Sequence, residues 1–119
     1  MDFKESLKKI SEKIDDIRGV AIADKDGIIV EEYRVDPSID LGSMVAEFGA
    51  LWPGIEKAGQ STELGASQEM TVLTDKGTIL VRKVNSEYFL LLAAGSDKSF
   101  GKGRFLLRLE AGAISEELS

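Results

Sequence analysis

The chain has no cysteine and no histidine among its 119 residues. The first absence excludes disulfides, thiolate nucleophiles and thiolate zinc sites. The second removes the commonest metal ligand and the commonest general base near neutral pH. The acidic residues form no pair set in apolar sequence, as acid–base catalysis favours. An enzyme is therefore not expected, nor a metal or other cofactor. No apolar run approaches the ~20 residues of a membrane helix. The longest, Tyr88 to Ala94, suits a strand. The opening Met1-Asp2-Phe3-Lys4-Glu5 lacks the basic-then-apolar pattern of a signal peptide, so a cytoplasmic location without membrane insertion is expected. Basic residues are outnumbered 15 to 21, for a net charge of −6. That balance argues against nucleic acid or anionic lipid as partner.

What remains is ordinary globular composition, 43% hydrophobic and 30% charged. A chain of this length buries roughly 65% of its extended surface, and residues 1–119 are expected to form one domain. Phe3, Leu7, Ile10, Ile14 and Ile17 recur at helical spacing. Asp2 with Glu5 resembles a capping box, and Gly19 stands where the helix is expected to stop. Two hairpins are expected: Val20–Ala23 with Ile28–Val35 across Asp24-Lys25-Asp26-Gly27, and Met70–Thr74 with Thr78–Val84 across Asp75-Lys76-Gly77. Tyr88–Ala94 is apolar throughout, as in a central strand covered on both sides. A final helix begins near Gly101, with Phe105, Leu106, Leu109 and Ala113 expected on its core side. The fold class is α+β, an α/β sandwich. Its order is helix, two strands, helix, three strands, helix. The short connections make the five-stranded sheet mainly antiparallel, with helices on both faces.

The helix between the hairpins, roughly residues 39–59, is the most informative segment. At about 100° per residue, Leu41, Met44, Val45, Phe48, Leu51, Trp52, Ile55 and Ala58 share one face. The opposite face carries Gly42, Ala46, Gly49, Ala50 and Pro53 instead of charges. Glycine inside a helix costs ~1 kcal/mol against alanine, so a small-residue face needs a reason. Close approach of a second copy is one; a break at Pro53 is the other, and the two are compatible. If the face meets its own copy, a charge at Gly49 should split the pair.

Three motif matches are weak. Gly95 to Gly103 lies where a phosphate loop would, but the glycine spacing is wrong and Gly103 replaces the magnesium-binding hydroxyl residue. Asp24-Lys25-Asp26-Gly27 lacks the remaining ligands of a calcium loop. Ser6-Leu7-Lys8-Lys9 lacks the partner motifs of the hydrolases that use Ser-x-x-Lys. A basic run does remain. Lys98, Lys102, Arg104 and Arg108 lie near a helix start with no acid between them, as either an anion or partner contact or a solvated loop.

The element order resembles the Roadblock/LC7 family, and the resemblance spans nearly the whole chain. Its carriers are Ile17-Arg18-Gly19-Val20-Ala21-Ile22-Ala23-Asp24-Lys25-Asp26-Gly27-Ile28, the Leu41–Gly59 helix, and Thr78-Ile79-Leu80-Val81 leading into Tyr88–Ala94. The resemblance implies a homodimer or heterodimer in which middle helices pack together and third strands pair. The interface would comprise Gly42, Ala46, Gly49, Ala50 and Pro53, with Met70, Thr71, Val72 and Leu73 from the strand. It also implies a non-enzymatic regulator or activator of a small Ras-like GTPase, or alternatively a structural adaptor such as a dynein light chain. If such a regulator used an arginine finger, Arg34, Arg82 and Arg104 would be its candidates.

Overall fold

The computed structural model describes residues 2–98 and 100–118. Among them the chain runs α1 (Phe3–Lys13), β1 (Ile17–Asp24), β2 (Ile29–Arg34), α2 (Leu41–Gly49), α3 (Trp52–Ser61), β3 (Glu69–Thr74), β4 (Gly77–Lys83), β5 (Tyr88–Ala94) and α4 (Phe100–Leu118). The strands form one sheet in the order β2-β1-β5-β4-β3, with every neighbouring pair antiparallel. β5 is the middle strand, and Phe89 to Ala93 are all buried, as its unbroken apolar run requires.

Strand alternation sorts side chains into two layers, making an α+β sandwich. Val20, Ile22, Leu80, Leu90 and Leu92 pack with Leu7 and Ile10 of α1 and Leu107, Ala111 and Ile114 of α4. Ala21, Ala23, Ile79, Val81, Leu91 and Ala93 face the other way, toward Leu41 and Val45 of α2. No helix of the described residues is long and apolar enough to cross a membrane.

Three expectations need correction. The first helix ends at Lys13, not beside Gly19. Ile14 is already extended and Asp16 takes a left-handed φ of 59°. Gly19 and Ile17 belong to β1, where they pair with Ala93 and Ala94 of β5. Asp2 does cap the helix, accepting from Glu5 N at 3.2 Å. The middle helix is two helices. α2 stops at Gly49, and α3 starts at Trp52 with Pro53 in its first turn, where a missing N–H loses nothing. The break shifts the helical phase, so Leu51 is half exposed and Ala58 lies on the surface. Finally, α4 is rotated from the expected face. Gly103, Leu107, Ala111 and Ile114 are buried, whereas Phe105 and Leu109 are half exposed. A Cβ on Gly103 would lie 3.2 Å from Leu80 Cδ1, so glycine lets α4 settle close to the sheet.

Candidate functional site

α2 is positioned by its N-cap. Asp40 accepts from Ser43 N at 3.0 Å and from Ser43 Oγ at 2.7 Å. These bonds hold the Asp40 carboxyl below its ordinary pKa, the hydroxyl first and the backbone second. Asp36 just upstream is lowered in the same way by Ser38, whose Oγ and N donate at 2.7 and 2.9 Å; Arg18, 3.6 Å away, adds a smaller effect. Leu41 and Val45 then bury against β1 and its neighbours.

α2 covers only part of this side of the sheet. Beside it, toward β4, lies an open trough of about 400 Å³. Met44 and Phe48 of α2 form one wall, Ile79 and Ala93 lie among its lining residues, and Asp36, Asp40 and Arg18 stand at one end. α3 buries none of its residues. It is held by the Lys83–Glu56 ion pair at 3.3 Å and by Ser67, whose hydroxyl donates to the Ile55 carbonyl at 3.1 Å. β3 is the sheet edge next to this region, and Met70 and Val72 pack only partly against the α2-side core.

The expected interface residues divide on this framework. Gly42, Ala46, Ala50 and Pro53 are exposed along the outer side of α2 and the start of α3. Gly49 is not with them. It is buried, and a Cβ there would lie 3.0 Å from Phe89 Cζ. Its small size serves packing of α2 on the chain's own sheet. Met70 and Val72 point to the α2 side. Thr71 and Leu73 have the opposite parity and point to the α4 side, with Leu73 62% exposed.

The basic run also divides. Arg104 and Arg108 line a groove between α4 and the β3–β4 pair, together with Arg82 and Glu69; Lys98 and Lys102 are exposed and are not among its lining residues. Ser99 lies outside the described residues. Arg104 Nε donates to Glu69 Oε1 at 2.9 Å, and its Nη2 bonds the same oxygen. The hydrogen bond and the charge of Glu69 raise the Arg104 pKa above its ordinary value. Arg104 is thus engaged within the chain. Arg34 is exposed and lies 3.6 Å from Glu32. The Asp24–Gly27 segment is a hairpin turn, in which Asp24 Oδ1 accepts from the N–H groups of Asp26 and Ile28 at 2.9 and 3.0 Å.

No family sequence model and no curated protein matches the chain. Solved structures do. The Roadblock/LC7 domain from Streptomyces avermitilis superposes with a TM-score of 0.87 at 16% identity, over 99% of this chain and 98% of that one. The chain has the Roadblock/LC7 fold. MglC from Myxococcus xanthus is similar at 28% identity and a TM-score of 0.69, over 98% of this chain and 99% of that one. The gliding protein MglB from Thermus thermophilus has 12% identity and a TM-score of 0.83, over 94% of this chain and 84% of that one. The trough beside α2 and the arginine groove beside α4 are open surfaces of this arrangement among the described residues. The small residues singled out in the sequence are not among the trough's lining residues, whose α2 wall is Met44 and Phe48. Sequence reasoning did not join Glu69 and Arg82 to the groove with Arg104 and Arg108, because β3 and β4 lie far from α4 in sequence. Their Glu69–Arg82 register was the signal available, since both follow from the hairpin turn.

Proposed function

We propose that this chain is a non-enzymatic dimeric binding module that regulates a small Ras-like GTPase. The half-covered α2 side of the sheet carries the dimer reading. A ridge of Gly42, Ala46 and Ala50 runs along the exposed outer side of α2, away from the trough and toward β2, and the partly buried Met70 and Val72 lie on the β3 edge strand. A second α2 laid antiparallel on this ridge would cover it, since small residues let the helix backbones approach. Pairing of β3 with its own copy would satisfy the edge N–H and C=O groups. The GTPase part of the reading is supported by the likeness to MglB and MglC and by the resemblance to Roadblock/LC7 regulators. A related MglB structure is described in a tetrameric arrangement, which suits a protein that works as an assembly.

Such a module acts by binding. The dimer presents a rigid surface that holds the GTPase's own loops in their hydrolytic arrangement. The test is single-turnover GTP hydrolysis by a small Ras-like GTPase from the same cell, with and without this chain. The expected result is a faster rate with the native protein and none with Ala46→Arg, which places a charge on the ridge. Binding with an unchanged rate would instead assign the chain as a structural adaptor.

A further inference from the structure

The groove beside α4 has an unbalanced charge. Its lining residues are Glu69, Arg82, Gly101, Arg104, Phe105 and Arg108, three cations against one anion in a chain of net charge −6. Glu69 stands directly opposite Arg82 in the β3–β4 register, where a cross-strand ion pair would be usual. The carboxylate turns instead to Arg104 of α4. Arg82 is left without an acidic partner among the described residues, and its Nε is buried with no hydrogen-bond partner. A buried unpaired donor on a cation is costly, and the guanidinium that carries it lines the groove, where an incoming carboxylate can take its outer N–H groups. Arg108 also has no acidic partner among the described residues. Its guanidinium lies 5.7 Å from the Phe105 ring centre, which keeps charge and ring together at the groove wall. Phe105 itself is half exposed, as is Leu109 one turn on.

We propose that this groove docks an acidic peptide segment of a partner protein. Carboxylates of the segment pair with Arg82 and Arg108, and an apolar side chain covers Phe105. Guanidinium groups suit this task because their planar donors take a carboxylate in two parallel bonds. The ring beside them favours a peptide over a bare anion, which would leave the apolar surface wet. The groove lies on the α4 side of the sheet, opposite the trough beside α2. The proposal therefore stands or falls independently of the dimer.

Fluorescence anisotropy with a short labelled peptide of alternating glutamate and leucine tests it. The native protein should bind this peptide, and affinity should fall as salt rises. The same peptide with lysine for each glutamate should not bind. Arg108→Glu should weaken binding by about tenfold or more, and Phe105→Ser by several-fold. Lys9→Glu, an equal charge change on the far side of α1, should leave binding unchanged. Arg82→Met should lose binding with no fall in Tm, since it removes an unpaired buried donor; this separates a binding role from a structural one. Equal affinity for native protein and Arg108→Glu would overturn the proposal, as would failure of the glutamate peptide to bind at low salt. Complete displacement of the peptide by millimolar inorganic phosphate would also overturn it, by assigning the groove to a bare anion.

Discussion

Gly49 shows how one residue reads differently in sequence and in space. In a helix of small residues it resembles its neighbours, yet it is the one that meets Phe89 instead of solvent. Gly49→Leu should lower stability by about 1–3 kcal/mol through overpacking, seen as a lower urea midpoint at every protein concentration. A normal midpoint with a smaller light-scattering mass would return Gly49 to the outer face. Asp40 and Asp36 act through protonation. Their folded pKa values are lowered, so they stabilise the fold fully above the ordinary aspartate range, near pH ~4. That contribution is lost as pH falls through the lower folded values. Asp40→Ala should therefore melt at a lower temperature than the native protein at neutral pH, and the gap should close in strongly acid solution. A gap that persists there would mean that Asp40 acts by something other than its charge.

Among elements, the hairpin and central strands were legible to within a residue or so at the ends that turn chemistry bounds, whereas β1 begins at Ile17, three residues before the expected Val20. Asp24 and the segment at Gly77 mark the hairpins whatever the sheet does next. α4 was not legible in the same way. Phe105, Leu106, Leu107 and Leu109 are apolar at four of five successive positions, so helical periodicity alone leaves the buried face open. Packing at Gly103 against Leu80 settles it and turns Leu107 inward. Leu107→Ala should cost about 2–5 kcal/mol in chemical denaturation. Leu109→Ala, on the outer face, should change stability by less than about 0.5 kcal/mol. Equal losses at the two positions would contradict the observed rotation of α4.

At the scale of the molecule, the sandwich is uneven. α1 and α4 share one side of the sheet, while α2 leaves the trough open on the other and α3 buries no residue fully, only Trp52 packing partly on the core. A chain that dimerises through this side gains stability by mass action. The melting temperature of the native protein should rise with protein concentration, and light scattering should give twice 12.9 kDa. Ala46→Arg should melt at a concentration-independent temperature with the mass of one chain. A native protein that scatters as a monomer at every concentration would remove the dimer reading and leave the α4 groove untouched.

The sequence by itself determined the element order apart from the α2–α3 break, the hairpins, the central strand and the presence of small residues along the outer side of α2. All of these depend on local chemistry: turn residues, side-chain period and the cost of glycine in a helix. The tertiary structure alone decided which way α4 turns, that Gly49 faces inward, and that Glu69 of β3 accepts from Arg104 instead of its cross-strand neighbour Arg82. Those outcomes depend on which surfaces meet across the sheet. Arg104, 35 positions along the chain from Glu69, takes that carboxylate there over the cross-strand Arg82, and no local rule states the winner.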